Sequence, residues 1–194
     1  MNAVLKIHPS LSEKTEAELR ELIRARSFRR GVFKLASGVE SDRYFNLKPT
    51  MMAPRGAYLA ARAFIDRILP EKVDYVGGLE MGAVPIIGAL AAVSDIDGRP
   101  INTFFVRKAP KAHGTKETVE GLGPTESLAD KRVLILDDVA TSGISLMKAI
   151  DAARDAGAVV GVALVLLDRE EGAEAFLAAK GIRLLSVFKA HEFI

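Results

Sequence analysis

The sequence predicts an α/β protein whose mostly parallel sheet is covered by helices on both faces. Short apolar segments alternate along the chain with segments of helical periodicity, which favours this class. The segments "RVLIL" and "AVVGVALVLL" are apolar throughout, as in strands that are buried on both faces. Glycines, charged residues and hydroxyl residues follow several of these segments, and ligands bind at the carboxyl ends of strands in such sheets.

The first part of the chain predicts a small cap. Residues from Glu13 to Arg26 have the periodicity of an amphipathic helix. The segment "GVFKLASGVESDRYFNLK", residues 31–48, predicts two short strands around a Ser-Gly turn. We interpret residues 1–194 as a single domain in which residues 1–50 form the helix and cap strands and residues 51–194 form the α/β core.

The core elements are predicted in order from periodicity and from proline and glycine positions. Helices are expected from Pro54 to just before Pro70, from Ala83 to Ser94, across Leu146 to Ala153, and from Ala173 to Ala179. Strands are expected at residues 73–78, 101–106, 132–136, 158–167 and 182–188. A basic loop is expected from Arg107 to about Pro124.

Composition excludes several classes of site. The 194 residues contain no cysteine, which excludes disulfides, thiolate nucleophiles and cysteine metal sites. Net charge is only +2 and basic residues are mostly interspersed with acids, which disfavours extended nucleic-acid binding. The longest apolar run is too short to span a bilayer, and the first ten residues lack a signal-peptide pattern, so we expect a cytoplasmic protein.

The stretch "VLILDDVATSGIS", Val133 to Ser145, contains the first candidate site. Hydroxyl residues and Gly143 lie between a strand and a helix, where free backbone N–H groups stabilise a phosphate. Asp137 and Asp138 would repel phosphate, so they are expected to hold neighbouring hydroxyls of a ribose, directly or through a hydrated divalent ion. The alternative is a helix cap beside an incidental acidic pair, but a cap needs one short polar residue and this stretch has several.

A second candidate site is "FFVRKAPKAHG", Phe104 to Gly114. A strand leads into a loop that carries Arg107, Lys108, Lys111 and His113, with no acid from Val106 to Lys116. Cationic side chains on such a loop are suited to close over a pyrophosphate group. A solvated basic loop without function is the alternative.

These motifs resemble a known family. Val133 to Ser145 resembles the signature of the type I phosphoribosyltransferases, in which the acidic pair holds ribose hydroxyls and the loop holds the 5′-phosphate. The spacing of the basic residues, continued by "GTKETVEG" (114–121), is similar to that of orotate phosphoribosyltransferases in particular. The resemblance implies a parallel sheet flanked by helices, an N-terminal hood and a mobile catalytic loop.

The resemblance extends to the base-binding side. Tyr44 and Phe45 resemble an aromatic pair that borders the base, although such a pair by itself is more often core. Arg169, in "LLDREEG", corresponds to an arginine that grips the orotate carboxylate, a planar bidentate task suited to arginine. Two positions depart from the pattern, because Ala36 and Gly82 stand where some members have lysines. Lys34 and Lys48 are possible substitutes.

The resemblance also implies a role for each candidate residue. Asp137, Asp138, Lys111 and His113 are expected to be catalytic. The phosphoribosyl diphosphate is expected to contact Arg107, Lys108, Lys111, His113, Asp137, Asp138, Val139, Ala140, Thr141, Ser142, Gly143, Ile144 and Ser145. Orotate is expected to contact Tyr44, Phe45, Thr141 and Arg169.

The implied assembly is a homodimer that shares the loop at residues 107–121. Lys108 would serve its own subunit, whereas Arg107, Lys111 and His113 would reach into the partner's site. Mg²⁺ would be bound mainly through substrate and water, since no spacing of histidines and acids indicates a dedicated metal site. Orotate and phosphoribosyl diphosphate are the expected ligands, with no nucleic acid and no membrane.

Three alternatives remain at this point. A phosphoribosyltransferase for a purine base would share the chemistry, but the Arg169 position and the basic loop argue against it. A regulator could keep the sugar-phosphate site and bind RNA or DNA, yet the sequence has no extended basic patch. An inactive α/β scaffold would have to produce three matching segments by coincidence.

Overall fold

The structure of the chain, a computed structural model, describes residues 9–34, 40–109 and 118–193. The helices are α1 (Pro9–Arg26), α2 (Lys48–Met51), α3 (Pro54–Ile68), α4 (Val84–Ile96), α5 (Ile144–Asp155) and α6 (Ala173–Ala178). The strands are β1 (Phe28–Lys34), β2 (Glu40–Phe45), β3 (Tyr75–Gly78), β4 (Asn102–Thr103), β5 (Phe105–Val106), β6 (Val119–Glu120), β7 (Arg132–Ala140), β8 (Val159–Asp168) and β9 (Arg183–Lys189). Short 3₁₀ turns follow α3 and β9.

The central sheet has five parallel strands in the order β4-β3-β7-β8-β9. Alternate residues of β7 enter two different cores, because successive side chains of a strand point to opposite faces. Leu134 and Leu136 pack with α1, α3 and α4 on one face. Val133 and Ile135 pack with α5 and α6 on the other face. The predicted parallel sheet with helices on both faces is therefore confirmed.

The cap is an antiparallel hairpin of β1 and β2. Phe45 joins it to the core, because its ring lies 4.9 Å from that of Phe28 and 5.6 Å from that of Phe193 near the C-terminus. Arg20 of α1 adds an ion pair of 2.7 Å with Glu192. The two predicted cap strands are confirmed, while the Ser-Gly turn between them lies outside the described residues. The division of one domain at residues 50 and 51 stays a prediction.

Two strand predictions were wrong in detail. Residues 101–106 do not form one strand, because Asn102–Thr103 joins the main sheet and Phe105–Val106 turns away to pair with Val119–Glu120. The "RVLIL" strand does not end at Leu136 but continues to Ala140, since β8 beside it extends to Asp168 and keeps the ladder paired. None of the described helices is long and apolar enough to cross a membrane.

Candidate active site

Three strands end next to one another at one edge of the sheet. β7 lies between β3 and β8, and all three run in the same direction. The turn after β3, the polar turn after β7 and Arg169 after β8 therefore meet at the carboxyl edge. This is where parallel sheets bind ligands.

The acidic pair lies inside the last part of β7. Asp137 is only 6% exposed and the side chain of Asp138 is 13% exposed. The backbone N–H of Asp138 donates to Asp137 Oδ1, and that of Val139 donates to Asp138 Oδ1, each at 2.9 Å. One oxygen of each carboxylate is thus fixed by the backbone, which leaves the other oxygens to meet a ligand.

Burial gives Asp137 unusual acid–base properties. Desolvation, followed by the negative charge of Asp138, raises the pKa of Asp137 to about 8, although the ammonium group of Lys48 acts in the opposite direction. The raised pKa favours the protonated form of Asp137 near neutral pH. A protonated Asp137 reduces the repulsion of a phosphorylated ligand.

Lys48 contributes a cation from the cap side of the molecule. Its Nζ lies 3.5 Å from Asp138 Oδ2, and its side chain is 55% exposed. The sequence indicated Lys48 only as a possible substitute for a missing lysine. Its contact with Asp138 was not predicted, because 90 residues separate the two in the chain. No local sequence signal predicts this contact.

The turn after β3 approaches the acidic pair through its glycines. A Cβ atom on Gly82 would collide with Asp137 Oδ1 and would lie 2.8 Å from Asp138 Oδ1. A Cβ on Gly78 would collide with the backbone oxygen of Leu136. At Gly78 the obstacle is backbone, whereas at Gly82 the two carboxylates would have to shift. The glycines therefore let the turn pack directly against β7 and its carboxylates. Sequence reasoning treated Gly82 only as a departure from the family pattern.

The polar turn after β7 forms a small cavity at the start of α5. Residues 139–146 line a cavity of about 70 Å³. Gly143 precedes the helix with φ of 82°, a left-handed conformation that favours glycine. The first N–H groups of α5 have no acceptor within the helix, and the helix dipole is positive there. The cavity is therefore suited to an anion.

The described ends of the basic loop are tied to each other and to the turn after β3. The Arg107 guanidinium lies 3.6 Å from Glu120 Oε1, and the Arg107 N–H donates to the oxygen of Thr118 at 2.8 Å. The Lys108 N–H donates to Glu80 Oε1 at 2.8 Å, which places Lys108 beside the turn after β3. Lys111 and His113 lie outside the described residues, and so does Ala36.

The residues predicted for the base side differ in exposure. Tyr44 is 41% exposed, whereas Phe45 is 7% exposed and belongs to the aromatic contacts of the cap. The Arg169 side chain is 8% exposed, and its Nη2 lies 2.7 Å from Glu171 Oε1. The structure thus brings Arg169 and Thr141 to one sheet edge and places the Phe45 ring mainly in the core. The contacts of these residues with a base stay predictions.

A parallel sheet with a buried acidic pair beside an anion-binding turn defines a phosphoribosyltransferase. The family model for the phosphoribosyl transferase domain matches residues 52–183. An orotate phosphoribosyltransferase of Rhodopseudomonas palustris is 52% identical over 180 residues, covering 93% of this chain and 96% of the relative. The chain belongs to the orotate phosphoribosyltransferase family.

Solved structures show the same likeness. The orotate phosphoribosyltransferase of Mycobacterium tuberculosis in complex with Fe(III) dicitrate matches with a TM-score of 0.80 and 34% identity, over 92% of this chain and 98% of that chain. Its complex with 5-phospho-alpha-D-ribosyl 1-diphosphate matches with a TM-score of 0.76 and 31% identity, over the same shares of both chains. The predicted fold class and family are confirmed.

Proposed function

We propose that the chain uses this sheet edge to transfer the phosphoribosyl group of 5-phosphoribosyl 1-diphosphate to orotate. The products are orotidine 5′-monophosphate and diphosphate, a step in making pyrimidine nucleotides. The observation that carries the proposal is the acidic pair of β7 directly beside the anion-binding turn, in a chain of the orotate phosphoribosyltransferase family.

Two adjoining parts of the carboxyl edge of the sheet bind the sugar-phosphate, namely the turn at residues 139–145 and the acidic pair. The turn at residues 139–145 binds the 5′-phosphate through backbone N–H groups and the hydroxyls of Thr141, Ser142 and Ser145. Asp138 accepts a hydrogen bond from a ribose hydroxyl, and Asp137, protonated at neutral pH, can donate to the neighbouring oxygen. These contacts fix the ribose so that its C1 atom faces the base.

The reaction needs no protein nucleophile. The bond from C1 to the diphosphate oxygen breaks with its electron pair, positive charge develops on the ribose, and a ring nitrogen of orotate forms the new bond. Holding the two reactants in line contributes about 7–11 kcal/mol at most. The proton on that nitrogen passes to water or to an oxygen of the departing diphosphate.

The basic loop stabilises the departing diphosphate. Lys108 starts beside the turn after β3 and serves its own site. Arg107, Lys111 and His113 act on the diphosphate of the partner subunit's site. Cationic side chains in this loop would offset the charge that develops on the leaving group.

Magnesium is the cofactor that fits this site. Within residues 9–34, 40–109 and 118–193, no group of three or more histidines, cysteines or acids forms a metal cage. Mg²⁺ commonly keeps water and binds through substrate phosphates, so substrate oxygens and water would hold it here. When bound, it neutralises charge on the diphosphate.

Orotate is recognised beside the sugar by Arg169, Thr141, Tyr44 and Phe45. Arg169 follows β8 and would pair with the orotate carboxylate. Tyr44 offers an exposed ring at the cap. The purine alternative is disfavoured, because the chain is 52% identical to an orotate phosphoribosyltransferase over 93% of its length. A cytoplasmic location stays a prediction.

The direct test is loss of orotate absorbance. Purified chain is mixed with orotate, 5-phosphoribosyl 1-diphosphate and Mg²⁺, and we expect absorbance to fall only when all three are present. Hypoxanthine in place of orotate should give no nucleotide. Turnover of hypoxanthine but not orotate would overturn the proposal.

The shared loop has its own test. Lys111→Ala and Asp138→Asn homodimers should each be nearly inactive, because each removes a different contact from every site. A mixture allowed to exchange subunits should regain activity, since a hybrid dimer contains one site with both native residues. Failure to regain activity, despite hybrids detected by native mass spectrometry, would show that the loop serves its own subunit.

A further inference from the structure

Lys48 is held rigidly at its backbone while its side chain crosses to the acidic pair. Leu47 and Met51 on either side of it are buried in the core, which anchors the short helix α2. The Lys48 N–H donates to Asn46 Oδ1 at 3.3 Å, which fixes the turn before the helix. From this fixed point the ammonium group reaches within 3.5 Å of Asp138 Oδ2.

Asp138 has a different neighbour on each side. Its Oδ1 accepts from the Val139 N–H and faces the backbone of Gly82, where a Cβ would lie 2.8 Å away. Its Oδ2 faces Lys48. Because Oδ1 is confined by backbone groups, the orientation of Oδ2 depends on its contact with Lys48.

We propose that Lys48 is a positioning residue that holds Asp138 in the orientation in which it accepts a hydrogen bond from the ribose of 5-phosphoribosyl 1-diphosphate. This inference rests on the proposed function and names a residue of the cap as part of the sugar site. Lys48 thereby couples the N-terminal cap to the catalytic edge. Its action on the sugar goes through Asp138 and involves no contact with the diphosphate.

The electrostatics of the pair support this role. Lys48 lowers the pKa of Asp137, against the larger effects of burial and of Asp138. Of the described groups that contribute to this pKa, Lys48 is the cation, and the turn after β3 presents the Gly82 backbone. Removing the ammonium therefore raises the pKa of Asp137 further and favours a site that carries less negative charge.

The test compares Lys48→Met, which keeps length but removes charge, with Lys48→Arg, which keeps charge. Lys180→Met is the matched control, because Lys180 is exposed and lies just before β9, at the opposite edge of the sheet. We expect Lys48→Met to raise KM for 5-phosphoribosyl 1-diphosphate about tenfold, with KM for orotate little changed. Lys48→Arg and Lys180→Met should stay within about twofold of the wild type.

Two further measurements distinguish positioning of Asp138 by Lys48 from a direct contact of Lys48 with the diphosphate. Calorimetry measures the affinity of each variant for ribose 5-phosphate, which has no diphosphate. We expect Lys48→Met to weaken binding of ribose 5-phosphate by about the same factor as binding of the full substrate. The basic limb of kcat/KM should move to higher pH in Lys48→Met alone, since the pKa of Asp137 rises and the carboxyl keeps its proton to higher pH. Loss of affinity for the full substrate but not for ribose 5-phosphate would overturn the proposal in favour of a diphosphate contact.

Folding and function are checked separately. The Lys48 side chain is 55% exposed, so thermal unfolding of Lys48→Met should match the wild type closely. If wild-type chain turns over orotate and Lys48→Met has unchanged kinetics, the role of Lys48 is refuted while the proposed function stands. If wild-type chain fails to turn over orotate, the proposed function fails first.

Discussion

The two turns that follow β3 and β7 serve the same edge of the sheet by opposite means. The end of β7 and the turn after it provide groups that can bind, namely carboxylates, hydroxyls and backbone N–H groups. The turn after β3 provides space, because a Cβ on Gly82 would collide with both carboxylates. The first region supplies the binding groups, and the second determines how closely the backbone packs against them.

The difference shows why the two turns carry unequal sequence signals. Binding groups are read directly from residue types, as with Asp137, Asp138 and Ser142. The need for a residue without a side chain depends on what surrounds it in the fold. Gly82 lies against residues that are 55 and 56 positions further along the chain. Substitutions in the two turns should therefore differ in what they change.

Asp138→Asn should produce the largest effect, since it removes a negative charge from the acidic pair at the end of β7. Loss of a charge-assisted hydrogen bond of about 3 kcal/mol lowers kcat/KM roughly a hundredfold. Steady-state kinetics with orotate measures it. Equal kinetics in Asp138→Asn and wild type would remove the acidic pair from the mechanism.

Gly82→Ala tests whether space alone matters, because it adds one methyl group and no charge. The flexible carboxylates should shift rather than the backbone, so activity should fall between about 10- and 100-fold while the fold persists. Gly88→Ala in α4 is the matched control, since its Cβ would have no atom within 4 Å. The control should keep activity and gain up to about 1 kcal/mol of stability. Equal activity in both variants would contradict the role of Gly82.

Asp137→Asn should change stability and activity in opposite directions. The pKa of Asp137 is about 8 in the folded chain and about 3.9 in an unfolded chain, so the folded state binds its proton more tightly. The free energy of unfolding of the wild type therefore falls as pH rises from about 4 to about 8, and an uncharged amide at this position removes that contribution. We expect the variant to be more stable by on the order of 2 kcal/mol at pH 8, yet less active.

Denaturant unfolding at pH 5 and pH 8 measures this stability difference. The gap between Asp137→Asn and wild type should be larger at pH 8. A gap that is equal at both values, or larger at pH 5, would show that Asp137 is already ionised across the range.

Glu171→Gln should have the smallest effect. It tests the segment that follows β8, the third strand that ends at the site. Glu171 pairs with Arg169 at 2.7 Å. If Arg169 binds the orotate carboxylate as proposed, Glu171 would compete with it for the guanidinium. Because Glu171 is 38% exposed, the pair is partly screened, and its loss should lower KM for orotate about two- to fivefold. Glu174→Gln, which removes an exposed acid 3.9 Å from Lys189, is the control. A higher KM for orotate in Glu171→Gln would show that Glu171 positions Arg169 instead.

Local sequence was sufficient for the fold class and for most elements. The continuous apolar character of β7 and β8 and the periodicity of α3 and α5 depend on residues close in the chain, and these elements formed as predicted. The end of β7 was misplaced, because charged residues usually leave a strand. Here the neighbouring strand β8 keeps Asp137 and Asp138 in the ladder, and burial changes the pKa of Asp137.

By itself the sequence determined the β7 motif and hence the family, because an acidic pair followed by a glycine and hydroxyl turn is a contiguous pattern. Only the tertiary structure decided that Lys48 faces Asp138, that Gly82 lies against both carboxylates, and that Phe45 is buried with Phe28 and Phe193. Each of these contacts joins segments far apart in the chain. Their distances are set by how the cap, the helices and the sheet pack together, which no local pattern of residues encodes.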